Sequence, residues 1–168
     1  MSDIREIVTK AVVAKGKKVI NLKEKIEPEN LVYSVLGCWI INHEFHAKKE
    51  KDTVEIEGKM EADIWYSFNE NKETSIARKE ITYKKEIKTR EVIHDYLDES
   101  DIVMVKMIQH PSCINANIVD GLIEIEILFE ALAEVVGETK MQVSITKVEE
   151  EWEEEDFTDE INEDFLKT

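Results

Sequence analysis

Between positions 54 and 68 the apolar residues Val54, Ile56, Met60, Ala62, Ile64, Tyr66 and Phe68 all fall on even numbers, and Gly58 fills the one even gap. The odd positions Glu55, Glu57, Lys59, Glu61, Asp63 and Ser67 are polar, with Trp65 the single exception. A helix would drift out of this phase every turn, whereas a strand points successive side chains to opposite faces. The pattern predicts one long strand, or two strands bent at Gly58, with one face buried. Asn69-Glu70-Asn71-Lys72 supplies turn residues, and the β-branched and aromatic positions of 74–83 read as the returning strand of a hairpin.

The second half repeats the pattern in the opposite phase. Ile123, Ile125, Ile127, Phe129, Ala131, Ala133 and Val135 are odd, while Glu124, Glu126, Glu130 and Glu134 share the other face with Leu128 and Leu132. Asp120-Gly121 is a turn signal before this run. Gly137-Glu138 is expected to break it, and Met141, Val143 and Ile145 resume a period of two. The stretch 102–108 is almost continuously apolar and reads as a strand buried on both faces, closed by Pro111. At the N-terminus, Ile4, Ile7, Val8, Ala11 and Val12 fit a helical spacing. Val12-Val13, Ala14-Lys15-Gly16-Lys17 and Val19-Ile20 fit a hairpin, which the β character of the remainder favours. The expected fold is mainly β: an antiparallel β-sandwich, or a partly open barrel.

Charge adds a second region. The 168 residues carry 22 Lys+Arg against 38 Asp+Glu, a net −16. The last twenty positions hold 11 acidic residues against Lys167 alone, so about −10 of that charge lies in 149–168. Such a run repels itself, which predicts a β-rich assembly domain at 1–148 and a disordered acidic tail at 149–168. Trp152, Phe157, Ile161, Phe165 and Leu166 punctuate the tail, and the spacing of four between Phe157, Ile161 and Phe165 would place them near one face of a helix formed on a partner. An acidic surface disfavours nucleic acid and anionic membranes as partners. No stretch reaches the roughly 20 apolar residues of a membrane span, and the N-terminus lacks the features of a signal peptide. Cys38 and Cys113 are too few for a disulfide framework, which points to a reducing compartment.

Catalytic signals are weak. No Gly-rich nucleotide loop or nucleophile elbow occurs, and no acid/base pair stands out among the many carboxylates. His43-x2-His46 and His110-x2-Cys113 have ligand-like spacing, and three imidazoles plus a thiolate would satisfy tetrahedral zinc, with Cys38 as a spare ligand. The pairs lie far apart in the chain, and exposed histidines are commoner than ligands. Neither a cofactor nor a metal is therefore expected. Cys38, within Gly37-Cys38-Trp39-Ile40-Ile41, reads as a small buried hydrophobe.

Several segments nevertheless carry a specific resemblance. Residues 7–17 (Ile-Val-Thr-Lys-Ala-Val-Val-Ala-Lys-Gly-Lys), 36–43 (Leu-Gly-Cys-Trp-Ile-Ile-Asn-His), 54–58, 64–67 and 132–140 (Leu-Ala-Glu-Val-Val-Gly-Glu-Thr-Lys) resemble the outer spore coat morphogenetic protein (CotE) family of endospore-forming bacteria. The likeness extends over nearly the whole chain, including the acidic Trp152-Glu153-Glu154 tail. It implies a non-enzymatic scaffold made in the mother-cell cytoplasm and deposited in the spore outer coat. Such a scaffold assembles with itself as a homo-oligomer, docks on a basement-layer coat protein and recruits outer-coat client proteins. Exposed strand edges, together with Trp65 on the polar face, are surfaces through which identical subunits can pair, unless Trp65 is covered by its own chain. A small-ligand or zinc-binding β-sandwich is the competing reading.

Overall fold

The computed structural model describes residues 3–92 and 96–147, and every regular element among them is a strand: β1 (Asp3–Ile26), β2 (Val32–Lys49), β3 (Thr53–Phe68), β4 (Glu73–Lys88), β5 (Arg90–Glu91), β6 (Tyr96–Val119) and β7 (Leu122–Ile145). They form two antiparallel sheets, one of four strands in the order β5-β1-β7-β6 and one of three in the order β2-β3-β4. Residues Val8–Met141 form one compact unit. The core and the sites described below lie in Val8–Met141. The acidic tail, with Trp152, Phe157, Ile161, Phe165 and Leu166, falls outside the described residues.

The alternating patterns determine the two inner strands. In β3 the even side chains Val54, Ile56, Met60, Ala62, Ile64 and Tyr66 are all at most 1% exposed. In β7, Ile123, Ile125, Ile127, Phe129, Ala131 and Ala133 are fully buried. Both rows join one cluster with Val13 and Ile20 of β1 and Ile81 and Ile87 of β4. Burying a side chain of this size is worth about 1.5–3 kcal/mol, so these two rows are the main stabilising element of the fold.

The turns follow the sequence signals. Asn69, Glu70 and Asn71 take positive φ between β3 and β4, and Lys72 N–H donates to the Asn69 carbonyl at 3.2 Å. Asp120 (φ 50°) and Gly121 (φ 80°) form the two-residue link of the β6–β7 hairpin, the backbone that a type I′ turn requires.

Three expectations are corrected. β1 is one strand of 24 residues with no N-terminal hairpin. Gly16 is not a turn residue: a Cβ there would lie 1.9 Å from the Lys88 carbonyl oxygen, so glycine admits the backbone of 88–89 at the point where β5 pairs with Ala14 and Lys15. β3 is the single long strand that the alternation allows, and the missing side chain of Gly58 makes room for the Tyr83 hydroxyl, 2.6 Å from where a Cβ would sit. β7 runs through Gly137 without a break. Finally, β6 continues beyond Pro111 and is partly buried on one face only, through Val103, Val105 and Met107, with Ile102, Met104 and Ile108 about half exposed. It is an edge strand, and its register shifts between Gln109 and Ser112, so a proline without an N–H is accommodated there.

Candidate functional site

The outward face of the three-stranded sheet carries an aromatic patch. Register places Trp65 between Gly37 of β2 and Ile76 of β4, with Trp39 beside Asp63 in the next row. Trp39, Trp65, Ile76 and Ile41 are 52%, 41%, 51% and 40% exposed. The indoles of Trp39 and Trp65 stack at 6.5 Å with their planes 26° apart. Gly37 permits this arrangement, because a Cβ there would meet the Trp39 ring at 2.8 Å. Around the patch runs a charged border. Arg78 Nε lies 3.5 Å from Asp63 and 3.9 Å from Glu61, and Asn42 donates to Glu61 at 3.2 Å. Trp65 is thus exposed, as a pairing surface requires, and is not covered by the described part of its own chain. Trp39 is the partner that the alternation did not reveal. Its strand, β2, has register shifts at three places, and these interrupt the period of two by which strands are read.

On the inward side, His43 closes an aromatic junction. Its Nε2 is 2.6 Å from the Tyr83 hydroxyl, and its ring packs against Phe45, Tyr83 and Phe129 at 5.3–5.7 Å. Burial, followed by the charge of nearby His110, lowers the His43 pKa, and burial pushes Tyr83 up to about 12. Both groups are therefore neutral near pH 7, and they share one hydrogen bond whose direction is set by the imidazole tautomer. The pair is a satisfied polar link in an aromatic wall.

The four ligands considered for zinc are not brought together. Positions three apart on a strand point to opposite faces. His43 accordingly turns toward Phe129, while His46 stands on the outer face, 75% exposed and 3.6 Å from Glu57. Among the described residues no three His, Cys, Asp or Glu side chains are grouped to hold a metal ion.

Cys113 is drawn to a different neighbour. Register aligns Cys38 with Ile64 and Cys113 with Ile127, both fully buried residues, so the two thiols share the inward faces of β2 and β6. Each of these strands is the edge of its sheet. Burial, a hydrogen bond to the Cys113 thiol and the charges of Cys113 and Asp63 push the Cys38 thiol up, and Cys113 donates to the Asn115 carbonyl at 3.3 Å. An open cleft of about 240 Å³, lined by 35–38 and 113–116, leads to both sulfurs. Nothing in the spacing of 38 and 113 foretells this meeting.

An all-strand fold with an exposed aromatic face does not by itself identify a function, and the family match is what decides. The profile of outer spore coat protein E (CotE) matches residues 3–168. The chain belongs to the CotE family. This is the relationship that the segments 7–17, 36–43 and 132–140 indicate, and it makes the chain an outer spore coat protein. A comparison with curated proteins finds no match. Among the described residues no helix is long and apolar enough to cross a membrane. In CotE-family terms, the stacked Trp39 and Trp65 belong to the segments 36–43 and 64–67, which carry the resemblance.

Proposed function

We propose that this CotE-family chain is a non-enzymatic scaffold of the spore coat that assembles with itself through the Trp39–Trp65 face. The observation that supports the reading is an apolar patch of two stacked indoles, Ile41 and Ile76, held on a sheet and bordered by charge. Aromatic residues in a rigid apolar centre with a polar rim are the usual anatomy of a protein–protein interface. The scaffold is made in the mother-cell cytoplasm, docks on a basement-layer coat protein and recruits outer-coat clients. In this reading the assembly domain is 1–148, and the tail of 149–168 is the recruiting arm. Its charge keeps it extended, and Trp152, Phe157, Ile161, Phe165 and Leu166 are its anchors.

Light scattering on the full chain across a concentration series tests the assembly step. Large, concentration-dependent species are expected for the native sequence, and smaller ones for Trp65→Ser and Trp39→Ser with circular dichroism unchanged. Monomers at every concentration, or assemblies indifferent to both substitutions, would remove the patch from the proposal. Deleting 149–168 should abolish capture of outer-coat proteins while leaving assembly intact. Undiminished capture would refute the role of the tail.

A further inference from the structure

The two cysteines lie far apart in sequence, yet both line one cleft between β2 and β6, edge strands whose backbones approach within 8 Å. A disulfide needs Cα atoms roughly 4.4–6.8 Å apart and side chains directed at each other. Cys38 and Cys113 stand on the inward faces of two adjoining edge strands and line the same cleft, and the Cys113 thiol lies close enough to Cys38 to shift its titration. The open cleft along 35–38 and 113–116 gives a small molecule access to them. We propose that Cys38 and Cys113 form an oxidisable pair that closes into an intrachain disulfide across the seam between the sheets on reaction with a small-molecule disulfide such as glutathione disulfide.

The exchange balances without another reactant. The Cys113 thiol loses its proton, its sulfur attacks one sulfur of glutathione disulfide, that S–S bond breaks, and one glutathione thiolate leaves and takes up a proton. Cys38 then loses its proton, attacks the Cys113 sulfur of the mixed disulfide and displaces the second glutathione. Two protein thiols are oxidised and one glutathione disulfide is reduced to two glutathiones. Burial and Cys113 itself hold Cys38 in the protonated form, so Cys113 is the attacking residue and Cys38 the resolving one. The bond would tie an edge strand of each sheet to the other, and a protein of an outer coat works where such bonds persist.

The test uses the folded full-length protein in a series of glutathione disulfide to glutathione ratios, read by intact mass and by peptide mapping without reduction. Oxidation should give a chain lighter by two hydrogen atoms, with the peptides containing Cys38 and Cys113 joined. It should occur at a ratio about tenfold or more below that needed by the urea-unfolded chain, because the fold brings the sulfurs together. C38S should accumulate a single glutathione on Cys113, and circular dichroism confirms that the variant is folded. Two glutathione adducts, two persistently free thiols, a bond between different molecules, or equal behaviour of folded and unfolded chains would each overturn the pair.

Discussion

β3 and β7 are both inner strands, both bury one face completely, and both follow a period of two, yet their outward faces differ. The outward charges of β3 meet opposite charges. Glu55 lies 3.3 Å from Lys84 and 3.5 Å from Lys48, Asp63 lies 3.5 Å from Arg78, and Lys59 lies 3.5 Å from Glu44. The outward carboxylates of β7 meet neutral residues on β6: Glu124 pairs with Asn117, Glu126 with Asn115, Glu130 with Gln109 and Glu134 with Met104. From β1 they receive Lys17, 3.6 Å from Glu130, and Asn21, 2.6 Å from Glu126. One face is a charge-matched lattice into which two tryptophans are set, and the other interleaves carboxylates with Leu128 and Leu132. Identical inward physics thus leaves the outer face free to be shaped for a partner, and only the β3 face presents aromatic residues at its centre.

The shared core should dominate any attempt to separate the two strands. Phe129→Ala in β7 removes a fully buried ring that packs edge-on against Tyr83 at 5.0 Å, and is expected to cost about 3–5 kcal/mol in urea unfolding. A cost below 1 kcal/mol would mean that the two rows do not share one core.

A smaller effect is expected where β3 meets the aromatic junction. Gly58→Val places a side chain against the Tyr83 hydroxyl and the Glu44 carbonyl, and should cost about 1–3 kcal/mol by overpacking. Gly58→Ala should cost less than Gly58→Val, because its single Cβ meets the same atoms without the two added methyl groups. Equal losses for the two variants would place the strain elsewhere.

The His43–Tyr83 pair sets a pH window for stability. A His43 pKa lowered by folding means that the unfolded chain binds its proton first as pH falls. The contribution of His43 is complete above its ordinary value of 6.5 and is lost as pH drops from there through the folded value. Tyr83 acts at the other end: the unfolded chain ionises near 10.0 and the folded one near 12, so its contribution is lost as pH rises across that interval. Urea midpoints measured across pH should fall on both sides. His43→Asn should flatten the acid limb alone, and an unaltered acid limb would assign it to other groups.

The smallest effects distinguish the outward faces directly. Asp63→Asn should cost about 0.2–1 kcal/mol, because it breaks a pair whose arginine is mostly exposed. Glu130→Gln should change stability by no more than about 0.5 kcal/mol, since relief of like charge along β7 offsets the loss of an exposed Lys17 contact. Equal costs in urea unfolding would erase the distinction between the faces.

Much of this architecture is legible in the alternation of single residues. The buried rows of β3 and β7, the turn at 69–72 and the Asp120-Gly121 hairpin follow from side-chain period and turn chemistry, both of which are local. Glycine and proline mislead where their role is tertiary. Gly16 serves the approach of another chain segment, and Pro111 sits in an edge strand that does not need its N–H. In the candidate site, Trp65 stands out from the sequence because it violates a regular strand. Trp39 and the meeting of Cys38 with Cys113 do not, because β2 is interrupted by bulges and the two cysteines lie in different sheets.

The sequence alone thus determined the β character, the inward faces, the acidic segment and the family resemblance, since each depends on residue type and near neighbours. Tertiary structure decided which strands lie at the edges, which outward residues share a patch and which thiols line one cleft. Strand order and register bring together residues distant in the chain, and no periodicity within a single segment encodes them.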